Sequence, residues 1–183
     1  DEGPRHDPLR CALRARRDGD GYVLDGTKQY VLDGHVATDF IIVARSGGQA
    51  GEPAGLSLFH VPGDSPGLVR TRLEVVDGRN AAHLRCTGLR VPATALLGGE
   101  SAGFDLLDAA LDAGRAGLAA EMLGSASEAF ERTLAYLKLR QQFGVPIGSF
   151  QALKHRAAQM FCELELTRSA VLAALSAQDD ASP

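Results

Sequence analysis

Apolar and polar residues follow two different rhythms along the 183-residue chain, and the change falls at residues 98–101, Gly-Gly-Glu-Ser. Before this point, short apolar runs end at Gly, Pro or Asp, which is typical of strands joined by turns. After it, Ala and Leu dominate and apolar residues recur at steps of three and four, which indicates helices. The sequence therefore predicts an α+β protein with a β domain over 1–98 and a helical domain over 99–183.

The first domain is predicted to be an antiparallel β-barrel or β-sandwich, because its strands are short and closed by turn residues. The Asp-Gly pairs in residues 18–21 and 25–26 predict turns. The unbroken apolar run at 40–44 predicts a fully buried strand. Polar or glycine-rich stretches at 1–10 and 46–55 predict loops. The predicted strands are 11–17, 22–24, 28–32, 40–44, 56–61, 69–75 and 83–91.

Two long helices are predicted in the second domain, one over 104–140 and one over 150–175. A hairpin of two helices leaves half of each apolar stripe exposed, so it needs partner helices. We expect other copies of the chain to supply them, in a homo-oligomer that is a dimer or a tetramer. The stripes consist of Phe104, Leu107, Leu111, Leu118 and Met122 in the first helix, and of Leu153, Ala157, Met160, Leu164 and Val171 in the second.

The composition argues against several classes of function. A net charge of −4 gives no basic surface for nucleic acid, and no apolar run reaches the roughly 20 residues of a membrane span. Cys11, Cys86 and Cys162 are odd in number and far apart, so we expect reduced thiols in a cytoplasmic protein and no metal site. No His-x-x-x-His pair, GxSxG motif or P-loop occurs. The start at Asp1 rather than Met suggests a longer natural chain.

The connector between the two helices, residues 140–151, is unusually rich in recognition groups and reads Arg-Gln-Gln-Phe-Gly-Val-Pro-Ile-Gly-Ser-Phe-Gln. An Arg can bind a phosphate, an amide can hydrogen-bond the edge of a heterocycle, and a Phe can stack on a ring. In a purely structural alternative, Phe143, Ile147 and Phe150 close the end of the helix pair and Arg140 interacts with the helix dipole. Composition alone leaves both interpretations open.

The connector closely resembles a loop of the acyl-CoA dehydrogenases with the pattern Arg-x-x-Phe-Gly-x-Pro-Ile-x-x-Phe-Gln, and every fixed position of that pattern is filled here. The resemblance extends from about residue 19 to the C-terminus. In that family the loop crosses a subunit interface and holds the FAD of the neighbouring protomer. The resemblance therefore implies that FAD bound to a second copy of the chain is contacted by Arg140, Gln142, Phe143, Phe150 and Gln151.

Residues 28–34, Lys-Gln-Tyr-Val-Leu-Asp-Gly, resemble the family's strand that faces the flavin ring. The resemblance implies that Tyr30, Val31 and Leu32 face the FAD of their own chain. Leu32 stands where relatives carry a Thr that hydrogen-bonds the flavin, so only its backbone N–H remains as a donor. Residues 1–4 resemble the start of a loop that touches both FAD and thioester in relatives, although the serine of that loop is absent here. Apart from the resemblance, Tyr30 would be an ordinary strand aromatic.

Asp112 and Arg115 match the family's Asp-x-x-Arg, which lies beside the pantetheine arm of acyl-CoA. The resemblance implies that these two residues line the thioester site and bind the acyl-CoA substrate. The alternative is an ion pair between side chains three residues apart on the surface of the first helix.

The catalytic base decides the activity, because desaturation of an acyl-CoA removes a proton from Cα as hydride leaves Cβ for the flavin. Most of the family supplies this carboxylate from later helices, and a minority supplies it from the position before the helix Arg, which here is Gly114. We therefore expect no catalytic residue within this sequence. Glu121 is more typical of a surface carboxylate.

The resemblance implies an FAD-dependent acyl-CoA dehydrogenase of fatty acid metabolism that passes electrons to an electron-transfer flavoprotein, with this chain as part of the enzyme. Two alternatives stay open. One is a non-catalytic or truncated structural subunit, which the missing base favours. The other is a flavin-dependent monooxygenase of the same fold.

Overall fold

The computed structural model describes residues 7–180. The chain divides into two compact units, with the division between Asp108 and Ala109. Strands of one large sheet lie in the first unit and most of two long helices lies in the second, so the α+β prediction is confirmed. The domain boundary expected at 98/99 stays a prediction.

Seven strands form one open, mixed sheet in the first unit. They are β1 (Arg14–Asp18), β2 (Gly21–Leu32), β3 (Asp39–Arg45), β4 (Leu56–Pro62), β5 (Leu68–Leu73), β6 (Ala81–Pro92) and β7 (Leu96–Leu97). Their order is β5-β6-β2-β1-β3-β4-β7, and neighbours run antiparallel except β1 and β3, which are parallel. The sheet is not closed into a barrel, because β5 and β7 remain as its edges. The sequence predicts a purely antiparallel sheet, and the parallel pair of β1 and β3 shows that this prediction is wrong.

Strand β2 continues through the Asp25-Gly26 pair, which the sequence predicts as a turn. The register against β6 shifts between Leu24 and Gly26, so the pair forms an irregularity of the bulge type within one long strand. Gly26 has a φ of +136°, and a Cβ there would lie 2.8 Å from the Cα of Leu13. Close approach of a neighbouring backbone therefore explains this glycine better than a chain reversal does.

The sequence predicts that the apolar run at 40–44 is fully buried, and the structure shows that it is not. Phe40 and Ile42 lie in the core, whereas Ile41 between them is 63% exposed. Successive side chains of a strand point to opposite faces of its sheet, so only alternate residues of this apolar run face the core.

The core of the first unit is continuous and apolar. Leu13, Leu24, Leu56, Phe59 and Leu89 are completely buried in it. The rings of Tyr22 and Phe59 pack with their centroids 5.0 Å apart. Side chains from β1, β2, β3, β4 and β6 all contribute, so the sheet cannot separate into smaller parts without exposing this core.

Arg45 is buried in the first unit and is bound by backbone carbonyls rather than by a carboxylate. Only 1% of the residue is exposed. Its guanidinium donates hydrogen bonds at 2.7 Å to the carbonyl of Leu9, 2.9 Å to that of Ala54 and 3.1 Å to that of Glu52. Its Nε donates to the carbonyl of Cys11 at 3.4 Å. One cation therefore holds the segment before β1 and the loop between β3 and β4 in place.

The second unit contains most of one long helix and all of another, joined by a short, structured connector. The elements are α1 (Phe104–Leu139), β8 (Gln141–Gln142), β9 (Val145–Pro146), a 3₁₀ turn at Ile147–Ser149 and α2 (Gln151–Asp180). Both predicted helices are present, and α2 extends beyond the predicted end at 175. No helix in the described part of the chain combines the length and apolar character that a membrane span requires.

The helices bury few of their own apolar side chains. Ala116, Leu123, Phe130 and Val171 are buried, and the Phe130 and Phe161 rings lie 6.4 Å apart between centroids. A groove of about 550 Å³ runs between the helices and is mainly apolar. Residues that remain largely exposed include Leu118, Met122, Phe161, Leu166 and Leu172.

Candidate functional site

The connector forms a tight β-hairpin that holds its recognition groups in a fixed arrangement. Gln141 pairs with Pro146 and Gln142 pairs with Val145. The turn consists of Phe143 and Gly144, with φ values of +53° and +77°. Positive φ at both central residues is what a type I′ hairpin turn requires. The Ile147 N–H also donates to the Arg140 carbonyl at 2.8 Å, which closes the loop onto the end of α1.

Phe143 is held in solvent at some energetic cost. A non-glycine residue in the left-handed region costs about 1–3 kcal/mol, and such strain is concentrated at functional sites. The side chain of Phe143 is 92% exposed, and its ring meets the edge of Phe150 at a centroid distance of 6.1 Å. The structural alternative has Phe143 closing the end of the helix pair, and its exposure contradicts that role for Phe143. Ile147 is half-buried and fits that alternative better.

Arg140, Gln142 and Gln151 are exposed around the same turn. The amide nitrogen of Gln142 donates to the carbonyl of Gln141 at 2.9 Å, so this side chain lies along the hairpin. The connector therefore combines a guanidinium, two amides and two neighbouring phenyl rings on an ordered surface, a set that suits a flat heterocycle carrying phosphates.

Tyr30 is also held outward by a strained backbone. It lies in β2 where the register against β6 shifts between Lys28 and Val31, and its φ is +52°. The Tyr30 N–H donates to Nδ1 of His83 at 3.4 Å, and the two rings meet edge to face at 5.3 Å. His83 is 53 positions away in the sequence, and nothing local marks it as the support of Tyr30.

The residues beside Tyr30 differ in exposure. Val31 is half-buried and packs against the core, whereas Leu32 is 65% exposed. The side chain of Leu32 is apolar and has no hydrogen-bond donor, unlike the threonine that the sequence comparison places at this position. Residues 1–4, which resemble the start of the loop that touches FAD and thioester in relatives, lie outside the described residues.

Asp112 and Arg115 form an ion pair one helical turn apart on α1, and both side chains are more than half exposed. This is the surface arrangement given above as the alternative, and a role in substrate binding stays a prediction. Between them, Gly114 has nothing within 4 Å of where a Cβ would lie, so a larger side chain would fit there. Glu121 is exposed two turns further along the helix.

The two sets of predicted site residues in the helical unit are far apart. Helix α1 is continuous from Arg115 to Leu139, 24 residues further on. At a rise of ~1.5 Å per residue, about 36 Å of helix separates Arg115 from the connector. One reaction centre cannot touch both sets within a single chain.

Lys28 lies in β2 two residues before Tyr30, and its side chain points towards buried Cys11. Its Nζ donates to Sγ of Cys11 at 3.3 Å. Burial lowers the pKa of Lys28 below its ordinary value, and the neighbouring Cys11 opposes that shift. Burial also raises the pKa of Cys86, which lies close to Lys28, to about 11. Within residues 7–180, no three His, Cys, Asp or Glu side chains are grouped so that they could hold a metal ion.

An open seven-stranded sheet followed by a long helical hairpin, with an ordered aromatic and amide-rich turn at its tip, defines the class as an α+β protein. Two family models match the chain: the acyl-CoA dehydrogenase middle domain over residues 4–89 and the acyl-CoA dehydrogenase C-terminal domain over residues 101–183. The chain belongs to the acyl-CoA dehydrogenase family, which confirms the resemblance seen in the sequence.

Individual relatives agree with this assignment. The probable acyl-CoA dehydrogenase YngJ of Bacillus subtilis is 38% identical over 93% of this chain and 46% of its own length. Butyryl-CoA dehydrogenase from Megasphaera elsdenii is 28% identical, with a TM-score of 0.83 over 97% of this chain and 48% of its own. A chain in the structure of the electron transferring flavoprotein of Acidaminococcus fermentans is 31% identical, with a TM-score of 0.83 over 96% and 47%. The chain spans about half the length of the curated relatives it matches.

Proposed function

We propose that this chain forms part of an FAD-dependent acyl-CoA dehydrogenase that introduces an α,β double bond into an acyl-CoA thioester. The observation that carries the proposal is the ordered hairpin turn at 141–146, which holds Phe143 in solvent at a strained backbone angle. Such a turn suits a ligand that lies outside its own chain. Membership of the family supports the same assignment.

The residues of the connector fit FAD by their chemistry. Arg140 offers a guanidinium for the pyrophosphate, Gln142 and Gln151 offer amide donors and acceptors, and Phe143 with Phe150 offers ring faces and edges. Because about 36 Å of α1 lies between this set and Arg115, we assign the connector to FAD bound by a second copy of the chain. The active assembly is then a homo-oligomer, in which the exposed apolar residues of the helices also find partners.

Tyr30, Val31 and Leu32 are assigned to the flavin ring of their own chain. When bound, FAD accepts the hydride that leaves Cβ. His83 positions Tyr30 through the bond to its N–H and through the edge contact. Leu32 offers no hydroxyl, so this chain supplies one hydrogen bond fewer to the flavin than a threonine would.

Asp112 and Arg115 are assigned to the acyl-CoA substrate. The Arg115 guanidinium is held by Asp112, which fixes its direction on α1. Gly114 has no side chain to take the proton at Cα, and we assign that role to a carboxylate outside this sequence. An electron-transfer flavoprotein is the proposed acceptor of the electrons, and the cytoplasm is the proposed location.

The proposal is tested by adding FAD to the purified protein and then acyl-CoA without oxygen. We expect a yellow protein whose visible flavin band bleaches with acyl-CoA. A protein that stays colourless with FAD would favour a structural subunit, which the missing side chain at Gly114 and the missing hydroxyl at Leu32 support. A flavin band that bleaches only with another reductant, and reoxidises in O₂ as substrate is hydroxylated, would favour a monooxygenase.

A substitution tests the connector directly. Arg140→Gln should weaken FAD binding by about ten- to a hundredfold, because a hydrogen bond to a charged group contributes about 1.5–3 kcal/mol. Arg132→Gln is the matched control, since Arg132 is an exposed Arg of α1, the helix that ends directly before Arg140, and is bonded to Glu128 at 2.7 Å. Equal affinities of the two variants for FAD would contradict the assignment of Arg140.

A further inference from the structure

Half-buried Lys28 and buried Cys11 form an amine–thiol pair that the proposed function does not use. The Nζ of Lys28 lies 3.3 Å from Sγ of Cys11, and Cys11 is 2% exposed. Two further contacts fix the cysteine. Its thiol donates to the carbonyl of Val43 at 3.3 Å, and its own carbonyl accepts from Nε of Arg45 at 3.4 Å. The cysteine end of the pair is therefore held by the core of the first unit.

The environment favours joining of the amine and the sulfur through an oxygen atom. An amine is nucleophilic only when neutral, and burial lowers the pKa of Lys28, which increases the neutral fraction at a given pH. Cys11 is excluded from water and from bulky reagents, but a small apolar oxidant such as dioxygen can enter a protein interior. The usual course of oxidation from sulfenic to sulfinic and sulfonic acid needs room for additional oxygen atoms. A neighbouring nitrogen at contact distance gives the first oxygen another partner.

We propose that Cys11 and Lys28 are a redox-sensitive modification site, at which dioxygen joins the two side chains through a single oxygen atom as a sulfur–oxygen–nitrogen bridge. The thiol S–H bond and one N–H bond of the neutral amine break, and S–O and O–N bonds form. One atom of dioxygen enters the bridge and the other leaves as water with the two hydrogens. Sulfur and nitrogen each lose two electrons, and dioxygen accepts all four.

The bridge would tie the segment before β1 to β2 two residues ahead of Tyr30. Under the proposed function, this part of β2 faces the flavin, so oxidation would change how freely Tyr30 and its neighbours adjust. That consequence rests on the proposed function, whereas the bridge itself does not. A chemical test of the bridge needs neither FAD nor acyl-CoA.

The test is intact-mass and peptide analysis of the folded protein kept with and without air. We expect an aerobic species heavier by one oxygen and lighter by two hydrogens, which a thiol reductant removes. Digestion should yield one cross-linked peptide pair containing Cys11 and Lys28. Cys11→Ser and Lys28→Arg should each abolish the species.

Two other cysteines provide matched controls. Cys86 is buried beside Lys28, and Cys162 is exposed, so Cys86→Ser and Cys162→Ser should both retain the bridge. A Cys11–Cys86 disulfide, a Cys11 sulfinic or sulfonic acid with free Lys28, or no mass change in air would each overturn the proposal. If a variant of the pair fails to fold, the cross-linked peptide from the unsubstituted protein still decides.

Discussion

The two units of this molecule satisfy their apolar side chains in opposite ways. In the β unit, Phe59 and the leucines around it are completely buried among neighbours from five strands. In the helical unit, Met122 is 63% exposed and Leu166 is 72% exposed. The β unit therefore contains the burial that stabilises it, whereas the helices carry an apolar surface whose burial depends on further partners. Stability should be a property of the chain in the first case and of the assembly in the second.

The largest expected effect compares two phenylalanines. Phe59→Ala should lower the free energy of unfolding by about 3–5 kcal/mol, because it removes a fully buried ring and leaves a cavity. Phe161 is 54% exposed, so Phe161→Ala should leave the stability of the dilute chain nearly unchanged and weaken its self-association. Urea unfolding measures the first effect and sedimentation at several concentrations measures the second. Equal losses for both variants in dilute solution would break the comparison.

Arg45 tests whether the β unit also depends on polar groups in its interior. Arg45→Met should cost about 3 kcal/mol, since several buried carbonyls lose a charged donor at once. The loop between β3 and β4 should become open to proteolysis, because its carbonyls at Glu52 and Ala54 are released. Urea unfolding and timed protease digestion check both outcomes, with Arg132→Met as the exposed control. An unchanged digestion rate would mean that the loop is ordered without Arg45.

Alkaline pH should weaken the β unit selectively. The pKa of Cys86 is about 11 in the folded protein against an ordinary 9.0. The unfolded chain therefore releases this proton first, so stability is intact below pH 9.0 and falls as the pH rises towards 11. Tyr22, whose pKa is raised by burial and by its bond to Glu100, acts in the same direction. Lys28 has the opposite sign, because its folded pKa is lowered.

The contribution of Cys86 is isolated by comparing the unsubstituted protein with Cys86→Ala across that pH range. The unsubstituted protein should lose more stability with rising pH than the variant does, as measured by the urea midpoint. Parallel pH curves would show that the thiol at position 86 is not responsible.

The smallest expected effect concerns a glycine in the helical unit. Gly117 lies within α1 with nothing within 4 Å of where a Cβ would be placed. Gly117→Ala should therefore stabilise the dilute chain by about 0.5–1 kcal/mol through helix propensity alone. Thermal unfolding followed by circular dichroism measures it, with Gly26→Ala as the opposite case, since a Cβ there meets Leu13. A destabilised Gly117→Ala chain would show that the surface of α1 at this point is not open.

Features with a local cause were predictable from the sequence. The helices follow from apolar spacing, and the connector follows from the density of recognition groups at 140–151. Features that depend on distant residues were not. The parallel contact of β1 with β3 involves strands that are not consecutive, and Gly26 signals a turn as readily as a close backbone approach. The partnership of Tyr30 with His83 spans 53 positions and leaves no local trace.

The central claim is that the connector of one chain completes the FAD site of another. It is tested by mixing two defective proteins: one with Arg140→Gln and Phe143→Ser in the connector, the other with Tyr30→Gly in β2. Neither should retain FAD alone, but after subunit exchange the hybrid should recover flavin absorbance at half of its sites, since one site then combines an intact β2 with an intact connector. A hybrid verified by mass that stays free of flavin would contradict the claim.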